Sequence, residues 1–458
     1  MSRSFIIYGL SLYCLWFLVA CKATTSDQDD RPNIVLIVTD DLGIGSLSCY
    51  NSQFGIPTPN IDRLAQQGWQ YDQFYVTSSV CSPSRVSILT GKSPQVAGVE
   101  KVLKPGRQEE QNGMAPASAT IATKLQEAGY HTALIGKWHL GYQPEEQPTQ
   151  QGFQTFAGFI NGHIDYISHQ DPNGDFELMK EGKVWRTPPK KHLTEVLTDE
   201  AIAWVKQKSN APYFLMLSYA NPHVPILLPG EEALFPGKGD PRVDTPKRYQ
   251  QLVSLLDQEV GKLVAAIEAQ HDNTLVVFIS DHGCPQRLAG NGPYLGGKGT
   301  LLEGGIKVPA ILYWPGVLSP QRIPTFATSL DLFPTLLATA GMSAPQDGTQ
   351  TGHSLLDSVD STNNIPYYWN VNGMQAVRAG NWKALFCATD QANPRIIRRY
   401  LESTPAVPLK NWKSPDGKSY HVWLFDLGED PTEKANLATT QPEKITEMWA
   451  DLVKTQNK

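Results

Sequence analysis

The sequence is short of several things, and each shortage removes a class of protein. It has six cysteines among 458 residues and no Cys-x-x-Cys pair, so neither a disulfide scaffold nor a cysteine-built zinc site fits. It has no surplus of positive charge. Lys and Arg number 39 against 45 Asp and Glu, a formal −6, which leaves no broad basic field for nucleic acid. Internal repeats and low-complexity tracts are missing, and a content of 41% hydrophobic residues excludes disordered and collagen-like classes. Beyond residue 20 no stretch reaches membrane-span length. The length suits roughly one to three domains with a sizeable core.

What the first residues do contain is an export signal. Arg3 precedes an apolar stretch from Phe5 to Ala20, which closes Leu18-Val19-Ala20-Cys21. This resembles a bacterial lipoprotein signal, with residues 1–20 removed and Cys21 left as a lipidated first residue. Residues 21–31 are polar, as a tether is. The implied location is exported, periplasmic or cell-surface, with the lipid at Cys21 as the only membrane attachment. A plain cleaved secretion signal is the alternative.

Strand and helix patterns then alternate. Ile34–Val38, Tyr213–Ala220 and Leu275–Ser280 are apolar runs of buried-strand type, and His131–Gly136 is a further strand. Asn60–Gln67 and Thr120–Ala128 read as helices. Lys247–Gln270 carries Leu252, Leu256, Val260, Leu263, Val264 and Ile267 at helical spacing. The alternation predicts an α/β fold over 32–345, with a large, mostly parallel sheet covered by helices on both faces. Over 346–458 the texture changes to short strand-like pieces around Trp369, Trp382, Trp412 and Trp423, closing in a helix at Pro442–Thr455. This predicts a smaller α+β part with a short antiparallel sheet.

Three of the apolar strands run into polar residues: Thr39-Asp40-Asp41, Asn221-Pro222-His223 and Asp281-His282-Gly283. Ligands of open α/β sheets lie beyond the carboxyl ends of the strands, so these residues are expected to converge. Asp40 and Asp41 repel each other unless a cation neutralises them, and with Asp281 they suit a hard divalent ion such as calcium. Simple capping by the Asp pair is the competing reading. Cys81 opens Cys81-Ser82-Pro83-Ser84-Arg85, with a helix expected from Ser84 to Leu89 and Pro83 near its first position. A helix N-terminus favours anions and lowers a thiol pKa. A lone buried cysteine is more often just a small apolar residue.

The pattern Cys-Ser-Pro-Ser-Arg resembles the maturation signal of type I sulfatases, the formylglycine-dependent branch of the alkaline phosphatase superfamily. Gly129-Tyr130-His131-Thr132-Ala133-Leu134-Ile135-Gly136-Lys137-Trp138-His139 resembles the family's second pattern, in the right order and spacing. The likeness runs from about Asn33 to about Gly341 and resumes weakly around Val377–Lys383 and Leu424–Leu427. It implies an alkaline-phosphatase-like sheet and a formylglycine made from Cys81 by a maturation enzyme. It also implies a calcium ion held by Asp40, Asp41, Asp281, His282 and the modified Cys81. Many members have Asn where His282 stands, and a nitrogen ligand is unusual for calcium. Arg85, Lys137, His139, His223 and Lys298 take the family's sulfate-side positions. Lys137 and His139 lie two apart and are expected to share one face. Glu303 and Lys307 are expected to be structural.

The segment Asn161-Gly162-His163-Ile164-Asp165-Tyr166 falls where family members commonly line the substrate pocket. Asn161, His163 and Asp165 are thus candidate sugar contacts, and Trp185, Arg186 and Arg287 candidate cleft borders. A sulfated glycan is the implied substrate. The alternatives are a phosphate or phosphonate monoester hydrolase of the same superfamily, and a non-catalytic glycan-binding lipoprotein.

Overall fold

The computed structural model describes residues 30–456 except 52–56, 106–112, 116–118, 172, 189, 208–210, 235–242, 346–347, 358–365, 391–396, 399 and 402–409. The signal segment, Cys14 and Cys21 lie outside the described residues, and so does most of the tether. No described helix is long and apolar enough to cross a membrane.

The centre of the molecule is built from runs too apolar to face water on either side. β1 (Asn33–Thr39) pairs in parallel with β7 (Tyr213–Ser218) and with β8 (Thr274–Ser280). β3 (His131–Lys137) lies parallel to β7 and to β4 (Thr155–Phe159). β9 (Ala310–Tyr313) is antiparallel to both β8 and β2 (Trp69–Tyr75), and β10 (Gln321–Thr328) runs parallel to β2. The small hairpin of β5 (Met179–Lys180) and β6 (Lys183–Val184) extends the other edge. The order is β10-β2-β9-β8-β1-β7-β3-β4-β5-β6, a mixed and mostly parallel ten-stranded sheet.

Strand periodicity divides the core into two layers. Ile34, Leu36 and Val38 face one side, under α2 (Cys81–Thr90), α4 (Ile121–Glu127) and α8 (Leu332–Thr339). Val35 and Ile37 face the other, under α1 (Pro59–Gln67), α5 (Leu193–Val205) and α6 (Pro246–Glu268). Pro94–Ala97 (α3) follows α2, and Glu303–Ile306 (α7) is a single turn.

The C-terminal part is a five-stranded antiparallel sheet. Its strands are β11 (Tyr367–Val371), β12 (Met374–Ala379), β13 (Trp382–Ala388), β14 (Lys410–Lys413) and β15 (Ser419–Asp426), in the order β11-β12-β13-β15-β14. The four tryptophans that marked this region all sit on its strands. One face, with Trp369, Met374, Leu385 and Trp423, merges into the core of the large sheet. The other face packs on α9 (Pro442–Gln456) through Ile445, Met448 and Leu452.

A buried ion cluster joins the two parts. Lys383 Nζ on β13 lies 2.8 Å from Glu303 Oε1 and 2.8 Å from Glu433 Oε1. Tyr75 donates to Glu303 at 2.6 Å, and Arg378 on β12 donates to Tyr75 at 2.5 Å. Burial pushes the Glu433 carboxyl up to about 7, whereas Lys383 overcomes burial at Glu303 and holds that carboxyl at about 2. Glu303 is thus held from both parts, by Tyr75 of the large sheet and by Lys383 of the C-terminal sheet.

Candidate active site

Four adjacent parallel strands, β8, β1, β7 and β3, deliver their carboxyl ends to one edge of the sheet. Backbone pairing continues past the strands: Asp40 N donates to Asn221 O at 2.8 Å and Asp281 N to Thr39 O at 2.9 Å. The segments bearing Asp40, Asp281 and His223 are therefore tied together by main chain before any side chain is considered.

Helix α2 brings Cys81 to this edge. It begins at Cys81 itself, three residues before the expected start, so Pro83 is its third residue. Every residue of α2 is buried. A helix with no solvent face lacks the amphipathic period that marks a helix start, which explains the displaced boundary. The first turn is pinned to the strand ends: Ser84 Oγ donates to Asp281 O at 2.5 Å, and Arg85 Nε to Asp281 Oδ2 at 2.9 Å. Arg85 also donates to Ser218 Oγ at 2.7 Å. Arg85 is thus held among protein groups, and Ser218, the polar last residue of β7, is a partner that the sequence reading missed.

Asp40, Cys81, Asp281 and His282 offer ligand atoms that all lie within 4.8 Å of one another, and so do Asp40, Asp41 and His223. Cys81 Sγ is 3.7 Å from Asp40 Oδ1 and 3.2 Å from His282 Nε2. His282 Nδ1 is 3.3 Å from Asp41 Oδ1. Cations surround the carboxylates. Lys137 Nζ sits 2.5 Å from Asp40 Oδ2 and Lys298 Nζ 2.8 Å from Asp41 Oδ1. The five ligand candidates are almost wholly excluded from solvent, while Lys298 keeps 24% of its side chain exposed and marks the open side.

This packing of charge shifts the titrations. Burial pushes Asp41 up to about 6 and also raises Asp281. Burial acts likewise on Asp40, but Lys137 outweighs it and holds that carboxyl well below the usual range. Burial disfavours the Cys81 thiolate, yet Lys137, Lys298 and His282 together hold the thiol well below its usual value. Burial is likewise overcome at His282, which Asp281 and Cys81 raise to about 9. A buried set of three carboxylates and one sulfur, balanced only by side-chain cations, fits a divalent cation with oxygen ligands.

His139 lies beyond the end of β3 and has a left-handed backbone, φ 59°. Strand alternation therefore does not set its direction, contrary to the expectation from its two-residue offset. Its Nε2 donates to Leu103 O at 3.0 Å, which fixes the proton on Nε2. Nδ1 is buried without a hydrogen-bond partner among the described residues, and the ring interacts with Cys81. Burial lowers its pKa, so the ring is neutral. A Cβ on Gly162 would meet the His139 ring at 2.5 Å, so the glycine is what lets this ring fit. Burial and Lys298 also lower His223, whose Nε2 lies 3.7 Å from Asp41 Oδ2. Asp41 shares the left-handed conformation, φ 64°. Two non-glycine residues in that region at one site is a concentration of backbone strain typical of functional centres.

The sugar-contact candidates separate. His163 stacks on His223, with ring centroids 5.6 Å apart. Asn161 and Asp165 do not reach the site as free groups. Asn161 Nδ2 is taken by Glu177 at 3.0 Å and Asp171 at 3.3 Å. Asp165 accepts from the main-chain N–H of Ile167, Ser168 and Leu234. Both organise the loop that carries His163, since a buried polar group is satisfied by its nearest partners. Trp185 and Arg186 line a separate hollow of about 180 Å³. Arg287 lies 3.5 Å from Asp244.

Fold and residues together define an ester hydrolase of the alkaline phosphatase type. Residues 32–342 match the sulfatase family model, and residues 361–458 match that of the C-terminal region of aryl-sulfatase. The chain belongs to the sulfatase family and is an enzyme that hydrolyses sulfate esters. It is 30% identical to N-acetylgalactosamine-6-sulfatase of Canis lupus familiaris over 464 residues, covering 94% of this chain and 86% of the relative. It is 28% identical to N-acetylgalactosamine-6-O-sulfatase of Bacteroides thetaiotaomicron, covering 92% of each. The crystal structure of Ps i-CgsB in complex with k-i-k-neocarrahexaose superposes with a TM-score of 0.73 at 29% identity, covering 91% of each chain. Its relatives thus include enzymes named for sulfated carbohydrates.

Proposed function

We propose that this sulfatase removes a sulfate monoester from a sulfated glycan at a formylglycine derived from Cys81, beside a calcium ion. The observation that carries the reading is the seat of Cys81. It is the first residue of a wholly buried helix, at the meeting point of Asp40, Asp281 and His282. The relatives named for N-acetylgalactosamine 6-sulfate and the neocarrahexaose complex support a carbohydrate substrate.

Asp40, Asp41, Asp281 and His282 would hold the ion, which would supply positive charge for the sulfate oxygens. Formylglycine, as its hydrate, would supply one hydroxyl to attack sulfur and a second to release the product. The chain's own residues do the rest. A sulfate monoester is an anion, and Lys137 and Lys298 offset its approach to the carboxylates and stabilise its oxygens in the transition state. Arg85 orients Asp281 through its Nε hydrogen bond and an ion pair. His139, protonated on Nε2, presents Nδ1 as a proton acceptor toward residue 81. His223, at the open side with Lys298, serves the leaving oxygen, one giving a proton and the other charge. His163 backs His223 and faces the sugar, whereas Asn161 and Asp165 act through the loop.

The same reading covers the ends of the chain. Residues 1–20 are a lipoprotein signal, Cys21 is the anchor of an exported, periplasmic or cell-surface protein, and 32–345 and 346–458 are the catalytic and C-terminal parts. A maturation enzyme is the required partner.

The test is sulfate release across a panel of defined sulfated oligosaccharides, with paired aryl sulfate and aryl phosphate as controls. Mass spectrometry of the Cys81 peptide should find the aldehyde, and Cys81→Ser should abolish turnover, because serine lacks the second hydroxyl. Multiple turnover by Cys81→Ser protein would sink the mechanism.

A further inference from the structure

We propose that the cavity between the large sheet and the C-terminal sheet is a second binding site, for an anionic saccharide of one or two rings. It rests on the reading of the substrate as a sulfated glycan, since it adds a foothold for a longer chain of that kind.

The cavity encloses about 400 Å³, within the range of small-ligand sites. None of Asp40, Cys81, Lys137, His223 and Lys298 lines it. Three cations do, Lys307, Arg322 and Arg378, against two carboxylates, Asp72 and Glu303. Glu303 is bonded to Lys383 and Tyr75, and Lys307 and Arg378 also act on its carboxylate. The hydrogen bonds of Arg378 go to neutral acceptors: Tyr75 Oη, Gly380 O and Gln73 Oε1. Lys307 donates to Tyr294 Oη at 3.1 Å, with its ammonium 4.5 Å from the centre of that ring. Lys307 and Arg378 are nearly buried at the wall of the cavity, and with Arg322 they outnumber its two carboxylates, inside a chain whose formal charge is −6. That surplus of positive charge in a partly enclosed space favours an anion there.

The remaining lining indicates a saccharide rather than a bare ion. Inorganic sulfate fills only a fraction of the volume. Tyr50, Tyr294, Asn51 and Asn381 also line it, a mixture of aromatic rings and amides that suits a ring with several hydroxyls. Arg322 stands at the mouth, 59% exposed and 2.6 Å from Asp72, where it can change partner on ligand entry. Tyr75 ends β2, which runs parallel to β8 with only β9 between them. The cavity and the catalytic pocket thus share one edge of the sheet, so one extended polyanion can touch both.

The test is calorimetric titration of full-length Cys81→Ala protein with a 6-sulfated galactosamine–uronic acid tetrasaccharide, with inorganic sulfate as a second probe. Arg322→Ala and, separately, Tyr294→Leu should weaken tetrasaccharide binding about tenfold, the cost of one charged or aromatic contact. In the Cys81-containing protein the same variants should leave sulfate release from a sulfated monosaccharide within about twofold of the parent. Isotherms unchanged by both variants overturn the site. Saturation by inorganic sulfate alone, with no gain for the tetrasaccharide, also overturns it. Tetrasaccharide binding that depends on Arg322, in a protein releasing no sulfate from any glycan, would uphold the cavity and sink the proposed activity instead.

Discussion

At the scale of single residues, His282 is the informative departure. It is buried between Asp281, Asp41 and Cys81, which together raise it to about 9 despite burial. A raised pKa means that the ring carries a proton below pH 9, and a ligand nitrogen must shed it. Calcium binding should therefore release a proton and tighten as pH rises from 6 to 8, by up to about tenfold per unit. His282→Asn offers an oxygen without that competition. Calorimetric calcium titration at the two pH values should show tighter binding at pH 6 and a flatter pH dependence for the variant. An unchanged slope would remove His282 from the ligand set. The convergence of these residues was legible because each sits at a strand end or in a motif. The protein partners of Asn161 and Asp165 were not, because only the folded loop shows their polar atoms taken by Glu177, Asp171 and three main-chain amides.

At the scale of elements, long runs with one period were readable to within a residue or two, as β1, β8 and α6 show. Among the pieces that escaped, β2, β9 and β10 lie around the change of strand direction at β9, and pairing across distant segments leaves little local pattern. Helix α2 escaped in part because it is buried all round. Its far end is closely packed. Gly91 caps α2 in the left-handed conformation, φ 65°, and a Cβ there would meet Phe333 Cβ at 2.6 Å. Gly98 caps α3 at φ 78° with nothing within 4 Å. Gly98→Ala should cost about 1 kcal/mol, the conformational penalty alone. Gly91→Ala adds overpacking against α8 and should cost roughly 2–4 kcal/mol. Thermal denaturation of the two variants checks the order, and equal losses would refute the account of α2 as wedged.

At the scale of the whole molecule, the ion cluster of Lys383, Glu303 and Glu433 holds the C-terminal sheet against the catalytic body. Glu433 has a folded pKa of about 7, above its ordinary carboxylate value, so the folded state keeps its proton more tightly than the unfolded state. Its contribution is complete below about pH 4.5 and is lost as pH rises through 7. Glu433→Gln removes that titration. Between pH 5 and 8 the wild type should lose stability relative to the variant, by on the order of 1 kcal/mol per pH unit near the middle of the range. Denaturant unfolding at several pH values measures it, and parallel profiles would contradict the shift. This linkage was invisible in the sequence, where Glu433 is one acid among many in a solvated-looking stretch.

The burial of Cys81 carries a consequence in time as well as space. The thiol is 3% exposed, and the helix around it has no residue at the surface. The proposed maturation enzyme would have to reach the residues flanking Cys81, and Ser84 and Arg85 are committed to Asp281 once the fold is complete. The strand that supplies Asp281 is made some 200 residues after Cys81. Synthesis itself therefore opens an interval in which the cysteine exists and its cage does not. On the proposed reading, chemical maturation and folding would compete for that interval, and a chain that folded first would be sealed unconverted.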